Sequence, residues 1–333
     1  MRSALRICLV LGTALVAACA GETIVVTSTA ATTTPAPTQL QAVIPDEPLV
    51  PHGSVDGVDH LFVAAAATVD ETIHAYMVGF GPDGHRVIEM TWSGDGSEIQ
   101  QRDPGVDDLG LDLADPGHMP MSLSQEPDGS WVMHGFGVPT SPGATPIFWR
   151  AASDGPSGPW RDAAIVYEVG GPAAWDGAWI DFPTTFSTEG QRYMLYEGAS
   201  HADRNASHRG IAASPDGLAW ARPETAALSP DDCPEAPSIR APRLLSTDVG
   251  WLLAFAAITG QEEEPPIRLG LQDDPLQPSC EDLESVLTPD DLPSSGGIHS
   301  HALVETQSGP ALLVESLTPD ASASSLWLIP LVN

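Results

Sequence analysis

Basic side chains are scarce in this sequence: 13 Lys and Arg stand against 45 Asp and Glu, a formal net charge of −32 over 333 residues. Binding to a row of phosphates needs Lys and Arg to displace counterions, so a broad contact with DNA, RNA or an anionic lipid surface is excluded. An acidic surface of this kind aids solubility and leaves neutral sugars or cations as compatible ligands. Cysteine is almost absent, at four residues. No long stretch carries apolar residues at the i, i+3, i+4, i+7 spacing of an amphipathic helix. No Gly-rich phosphate loop opens a helix, and no G-x-S-x-G elbow occurs, which removes two common catalytic architectures. Past the N-terminus no apolar run approaches the ~18 residues that a bilayer span requires.

Gly and Pro are present in quantity, 31 and 32 residues, which together with the missing helical periodicity predicts a mainly β, turn-rich chain. The first residues have a different character. Arg2 and Arg6 precede an apolar stretch at 7–16, and Val16-Ala17-Ala18-Cys19 closes it with small residues. This resembles a bacterial lipobox, although an ordinary secretory signal has the same layout. The resemblance implies a signal peptide at 1–18, acylation of the Cys19 thiol, and a lipid-anchored protein of the bacterial cell envelope, on the periplasmic face or the cell surface. Residues 19–47 are Thr-, Ala- and Pro-rich with few large apolar groups, so burial cannot offset their ordering entropy and a disordered tether is expected. The folded domain is then 48–333. Cys8 leaves with the signal, and Cys233 and Cys280 remain as an even pair in an exported chain, which predicts a disulfide, with two free thiols as the alternative.

The domain repeats itself. Around Trp179–Trp220 three short apolar runs at 182–186, 192–197 and 210–213 are separated by turn residues, the pattern of a β-meander. The third run and its turn recur as M-T-W-S-G-D-G-S from Met90, R-A-A-S-D-G-P-S-G-P-W from Arg150, I-A-A-S-P-D-G-L-A-W from Ile211 and, more weakly, L-G-L-Q-D-D-P-L from Leu269. The first two runs recur at 62–66 with 73–79, 120–123 with 131–136, 183–186 with 193–198, 242–245 with 251–255, and 301–304 with 311–315. A spacing of about 60 residues, repeated five times, predicts an all-β fold: a monomeric five-bladed β-propeller of four-stranded antiparallel blades. The last unit lacks a fourth strand, and residues 49–52 are expected to supply it and close the ring.

With D-F-P-T-T-F, Y-M-L-Y-E-G and S-P-D-G-L-A-W in its third unit, the domain resembles the five-bladed propeller glycosidases of glycoside hydrolase families 32, 43, 62 and 68. That resemblance implies a carbohydrate partner in the central funnel and no required cofactor, with Ca²⁺ or another divalent cation as an optional occupant. The family pattern places an Asp base in blade one, an Asp orienter in blade two and a Glu acid in blade three. Alignment of the units puts Asp59 or His60, His118, Asp181, Arg240 and His299 at the funnel mouth. Three readings follow. In a glycosidase, Asp59 is the base, Asp181 or Glu197 the acid, and His118 and Arg240 hold hydroxyls, with Asp176 as another residue over the funnel. In a non-catalytic glycan binder, Trp149, Trp175 and Trp179 serve as stacking platforms. In a cation site, His60, His118, His299, His301 and Asp181 converge on a metal. The turn at Asp216-Gly217 resembles the Asp-box of sialidases, a hairpin-stabilising feature of blade peripheries.

Overall fold

The computed structural model describes residues 40–332 except 94–97, 115–116, 205, 234–237, 259–265, 282 and 294, together with 18–19 and 22–23. The expected leader, most of the tether, the Cys19 side chain and the first repeat's turn at 94–97 therefore lie outside the described residues. Two compact units divide at Thr38 and Gln39. In the first, β1 (Ala18–Cys19) pairs antiparallel with β2 (Glu22–Thr23). No helix among the described residues is long and apolar enough to cross a membrane.

The second unit is a five-bladed propeller. It opens with β3 (Gln41–Ala42), whose partner comes from the far end of the chain. Blade one is β4 (His60–Val69), β5 (Thr72–Gly81), β6 (Gly84–Ser93) and β7 (Gln100–Arg102), and blade two is β8 (Met119–Gln125), β9 (Trp131–Gly137), β10 (Ile147–Ser153) and β11 (Arg161–Glu168). Blade three has three regular strands, β12 (Trp179–Thr188), β13 (Gln191–Ala199) and β14 (His208–Ser214), with Ala221 and Leu228 bridging to β14 where a fourth would lie. Blade four is β15 (Ser238–Thr247), β16 (Gly250–Ile258), β17 (Ile267–Gln272) and β18 (Glu284–Leu287). Blade five is β19 (Gly297–Thr306), β20 (Gly309–Leu317) and β21 (Ser324–Val332), and β3 completes it antiparallel to β21 through Ala42–Leu331 and Gln41–Val332. The N-terminal segment thus closes the ring, but earlier than residues 49–52. Pairing starts at Gln41, with Val43 donating to the Pro330 carbonyl at 2.9 Å and Val50 bridging Leu326 farther along. Residues 40–47 belong to the propeller and not to the tether, because β21 is an open edge until they cover it.

A single blade cannot bury both faces, and the core is divided accordingly. Five apolar clusters lie between adjacent blades: Met77, Trp92 and Leu313 between one and five, Trp149 and Trp160 with Tyr76 between one and two, Phe148 with Tyr196 between two and three, Leu253 with Phe186 between three and four, and Leu252 with Trp327 between four and five. Cys233 and Cys280 form the expected disulfide, which ties the loop after blade three to blade four. The Asp216 carboxylate accepts from the Leu218 and Ala219 amides at 2.9 and 3.0 Å, the peripheral hairpin role expected of this turn.

The five inner strands β4, β8, β12, β15 and β19 line the funnel, and each contains a register shift against its neighbour. Inner strands of different blades are joined by side chains. Ser300 accepts from the Val63 amide at 2.7 Å, Ser122 from the Thr185 amide at 3.0 Å, and Thr184 donates to the Pro242 carbonyl at 2.9 Å. Arg243 does this for three blades together. Its guanidinium donates to the carbonyls of His301, Met121 and Ala64 at 3.1, 3.0 and 3.1 Å, closing the funnel between its mouth and its far half.

Candidate active site

The bulges set the mouth. In β12 the register shifts between Asp181 and Thr184, and in β15 between Arg240 and Arg243, so that Phe182-Pro183 and Ala241-Pro242 are the displaced residues. Phe182 and Ala241 both sit at φ 50°, in the left-handed region. A non-Gly residue there costs of order 1–3 kcal/mol, and such conformations persist where neighbours enforce them. Here the enforcing groups are carboxylates: the Phe182 amide donates to Asp181 Oδ1 at 2.8 Å, and the Ala241 amide to Glu197 Oε2 at 3.4 Å.

Asp181 and Glu197 are directly opposed across β12 and β13. Burial, and after it the negative charge of Glu197, pushes Asp181 up to about 7 against the Phe182 amide, the Trp179 indole and Arg243. A carboxyl that keeps its proton near neutrality beside a second carboxyl is the arrangement that divides acid and base roles. Beside Asp181, the described neighbours of the Glu197 carboxylate are donors. The Ser207 hydroxyl binds Oε1, the Ala241 amide binds Oε2, and Arg209 Nη2 lies 3.8 Å from Oε2. Arg209 is 1% exposed, and its Nη1 donates to Ser207 Oγ at 2.9 Å and to the His208 carbonyl at 2.6 Å. Burial depresses it to about 10, with Glu197 opposing, so it remains a cation at neutral pH.

Around this pair the mouth is aromatic. Phe62 of blade one stacks on Phe182 of blade three at 6.4 Å and meets His299 of blade five edge-on at 5.7 Å. His299 is half exposed, and its hydrogen bond to the buried Glu315, 3.1 Å from Nδ1, raises its pKa above the ordinary imidazole value. Trp179 is 41% exposed, 5.7 Å from Phe136, and available as a platform. Arg240 occupies the register of Asp181 in the next blade, with its side chain exposed. Asp181, Glu197, Trp179, Arg240 and His299 thus share the mouth end of the inner strands.

The other expected site residues are placed differently. Asp59 is exposed and held through its backbone between Phe80 and Ser324; among the described residues it makes no side-chain hydrogen bond or ion pair with Asp181 or Glu197. Asp176 is fully buried, accepting from the Tyr196 hydroxyl at 2.8 Å and paired with Arg222, in a network with Tyr167 on the blade-two side of β13. Trp175 covers Gly198 and Gly210, where any Cβ would strike its ring, and its indole donates to the Pro223 carbonyl at 3.3 Å. These two residues are packing, because the small glycine surfaces of β13 and β14 draw the indole onto the blade. Trp149 is likewise wholly buried, with its indole on the Phe136 carbonyl at 3.0 Å. His118 packs edge-on against Trp149 at 5.6 Å, and burial lowers its pKa. His301 is 2% exposed, lies below the mouth with its carbonyl on Arg243, and is depressed by burial to about 3. Among the described residues no three His, Cys, Asp or Glu side chains converge as a metal-ligand set, so the His-ring arrangement does not form. Arg209, Ser207, Arg243 and Phe62 were not anticipated. A charge opening the buried run R-G-I-A-A-S, and one inside R-L-L, were the available signals.

Below Arg243 the funnel holds a cavity of about 380 Å³. It faces away from Asp181 and Glu197. The acid–base geometry and this cavity are therefore on opposite sides of Arg243, and the carboxyl pair is the better guide to chemistry, because the cavity lining holds only one carboxyl, Glu305.

No family model matches the chain, and no curated protein matches it in sequence. Solved structures do. The catalytic domain of a family 62 α-L-arabinofuranosidase from Coprinopsis cinerea superposes with a TM-score of 0.63 at 12% identity, covering 88% of this chain and 97% of that one. A family 117 glycoside hydrolase from the marine bacterium Zobellia galactanivorans gives 0.60 at 13% identity over 88% and 90%, and the levansucrase of Bacillus subtilis 0.63 at 9% over 85% and 85%. At these identities the likeness shows the fold alone: the chain has the five-bladed propeller architecture of these glycoside hydrolases.

Proposed function

We propose that the protein acts on carbohydrate at the funnel mouth as a glycoside hydrolase-like protein, with Asp181 as proton donor and Glu197 as the opposing carboxylate. One observation carries the reading: two carboxyls are cross-strand neighbours beside a strained bulge, and one of them holds its proton to about pH 7. Glycosidic cleavage needs that division, an acid for the leaving oxygen and a carboxylate on the other side of the reacting carbon. Trp179 and Phe62 offer apolar surface to a sugar ring, and Arg240 and His299 offer donors to its hydroxyls. No metal is needed for this chemistry. The arabinofuranosidase neighbours make furanosides the first substrates to try.

A second reading, a glycan-binding propeller without hydrolysis, is favoured by one feature: Glu197 is already occupied by Ser207, Ala241 and Arg209. The test is hydrolysis of arabino-, xylo-, fructo- and galacto-oligosaccharides by the full chain, beside Asp181→Asn and Glu197→Gln, with and without chelator. Turnover that falls at least about 100-fold in both variants and is unchanged by chelator supports the enzyme. Calorimetric binding with no turnover, lost in Trp179→Ala, supports the binder, and neither turnover nor binding refutes both. For the N-terminus we propose a lipid anchor at the bacterial cell envelope through Cys19, tested by labelled fatty acid incorporation that Cys19→Ser abolishes.

A further inference from the structure

The far half of the funnel carries a second site. Four consecutive alanines of β4, Ala64 to Ala67, and the hydroxyls of Ser122 and Thr185 are too small to fill the space below Arg243, which is why about 380 Å³ stays open there. Its inner end is closed by Arg243, whose guanidinium is committed to carbonyls of three blades. On its blade-five wall stands Glu305. Among the described residues its Oε2 is buried without any hydrogen-bond partner. A carboxylate oxygen withdrawn from water with no donor costs free energy that an incoming donor or cation recovers. Elsewhere in the lining Trp251 of blade four packs edge-on against Phe186 of blade three at 5.4 Å, which leaves Glu305 as the acidic side chain of the cavity wall.

The surroundings have the same sign. The hairpins that end the inner strands at this face carry Asp70 and Glu71, Asp128, Glu189 and Asp248, all exposed. The basic residue beside these tips, Arg192, is paired with Glu126. Convergent carboxylates around a low-dielectric recess focus an attractive field on a cation. A bare divalent ion fits poorly, because no three ligating side chains meet among the described residues.

We propose that this cavity binds a small organic cation, its ammonium group on the Glu305 carboxylate and its uncharged part along the alanines of β4. The site is independent of the carboxyl pair at the mouth.

The test is titration calorimetry of the full chain with choline, tetramethylammonium and spermidine, and with 3,3-dimethylbutan-1-ol as the neutral isostere of choline. At least one cation binds and the neutral alcohol does not. Glu305→Gln weakens that binding by at least about tenfold, whereas Glu71→Gln on the rim and Asp181→Asn at the mouth leave it within about twofold. Far-ultraviolet circular dichroism checks that each variant is folded. The proposal is overturned if none of the cations binds at millimolar concentration, if the neutral alcohol binds as well as choline, or if folded Glu305→Gln binds like the parent.

Discussion

Replacing Asp181 by Asn separates the electrostatic account of the mouth from a purely structural one. An ordinary Asp titrates at 3.8, and this one at about 7, because burial and then Glu197 oppose its charge. An acid whose folded pKa lies above its unfolded pKa binds more protons folded than unfolded between the two values. Stability therefore falls as pH rises from about 4 to about 7, and the penalty is constant above that. At 1.36 kcal/mol for each pH unit the full cost is about 4 kcal/mol, and water reaching the partly exposed carboxyl trims it to about 2–4 kcal/mol. Asn keeps the oxygen that accepts from the Phe182 amide at 2.8 Å and presents an amide donor in place of the acid proton. At pH 4 the variant therefore matches the parent, and at pH 8 it is the more stable by about 2–4 kcal/mol, a rise in Tm of about 5–10 °C. Thermal melts of both proteins from pH 4 to pH 9 measure this. Parallel curves, with a constant difference across that range, would refute the raised acid and remove the physical basis for Asp181 as proton donor.

If the protein hydrolyses a glycoside, its turnover falls as pH rises through about 7, when Asp181 loses the proton it donates, and a pH–rate profile of the full chain reads this directly. Arg243→Met removes a hub that joins three blades and leaves the carbonyls of Ala64, Met121 and His301 without donors, a loss of about 3–5 kcal/mol in urea unfolding; a loss below about 1 kcal/mol would show the guanidinium dispensable. The double variant Cys233→Ser, Cys280→Ser opens a bridge spanning 47 residues and lowers stability by about 2–4 kcal/mol, whereas reduction without effect on the melt would mean that blade packing alone orders this region. Truncation after residue 39 leaves the propeller's stability unchanged, while truncation after residue 47 strips β3 from β21 and costs about 3 kcal/mol, which chemical denaturation of the two proteins compares.

The blade count was legible in the sequence because it is a repeated local signal. Each unit places an alternating strand, a tight turn and a second strand in order, and each of these first and second runs lies inside an observed strand, whereas the closing strand is Gln41–Ala42 and not residues 49–52. The disulfide was legible from the export context and the even pair. What failed was reading across the ring. Asp59 and Asp181 stand near the starts of inner strands in different units, but register along a strand does not show which way a side chain leaves a bulge. Trp149 and Trp175 resembled platforms because tryptophan is common at sugar sites, yet Gly135, Gly198 and Gly210 sit where a Cβ would collide with those indoles. Glycine opposite tryptophan in neighbouring strands was the signal that they are core.

Arg243 gives the general reason. A charged residue in R-L-L, inside an apolar strand, reads as an anomaly of one unit, and its purpose is visible only when carbonyls from blades one, two and five are brought around it. A buried cation needs several acceptors at once, and a closed ring of five bulged strands supplies them at its axis. The same guanidinium opposes ionisation-driven loss at Asp181 above it and closes the cavity of Glu305 below it. Two chemically different recesses follow from one residue, and substitutions on one side are expected to leave the other intact as long as Arg243 stays.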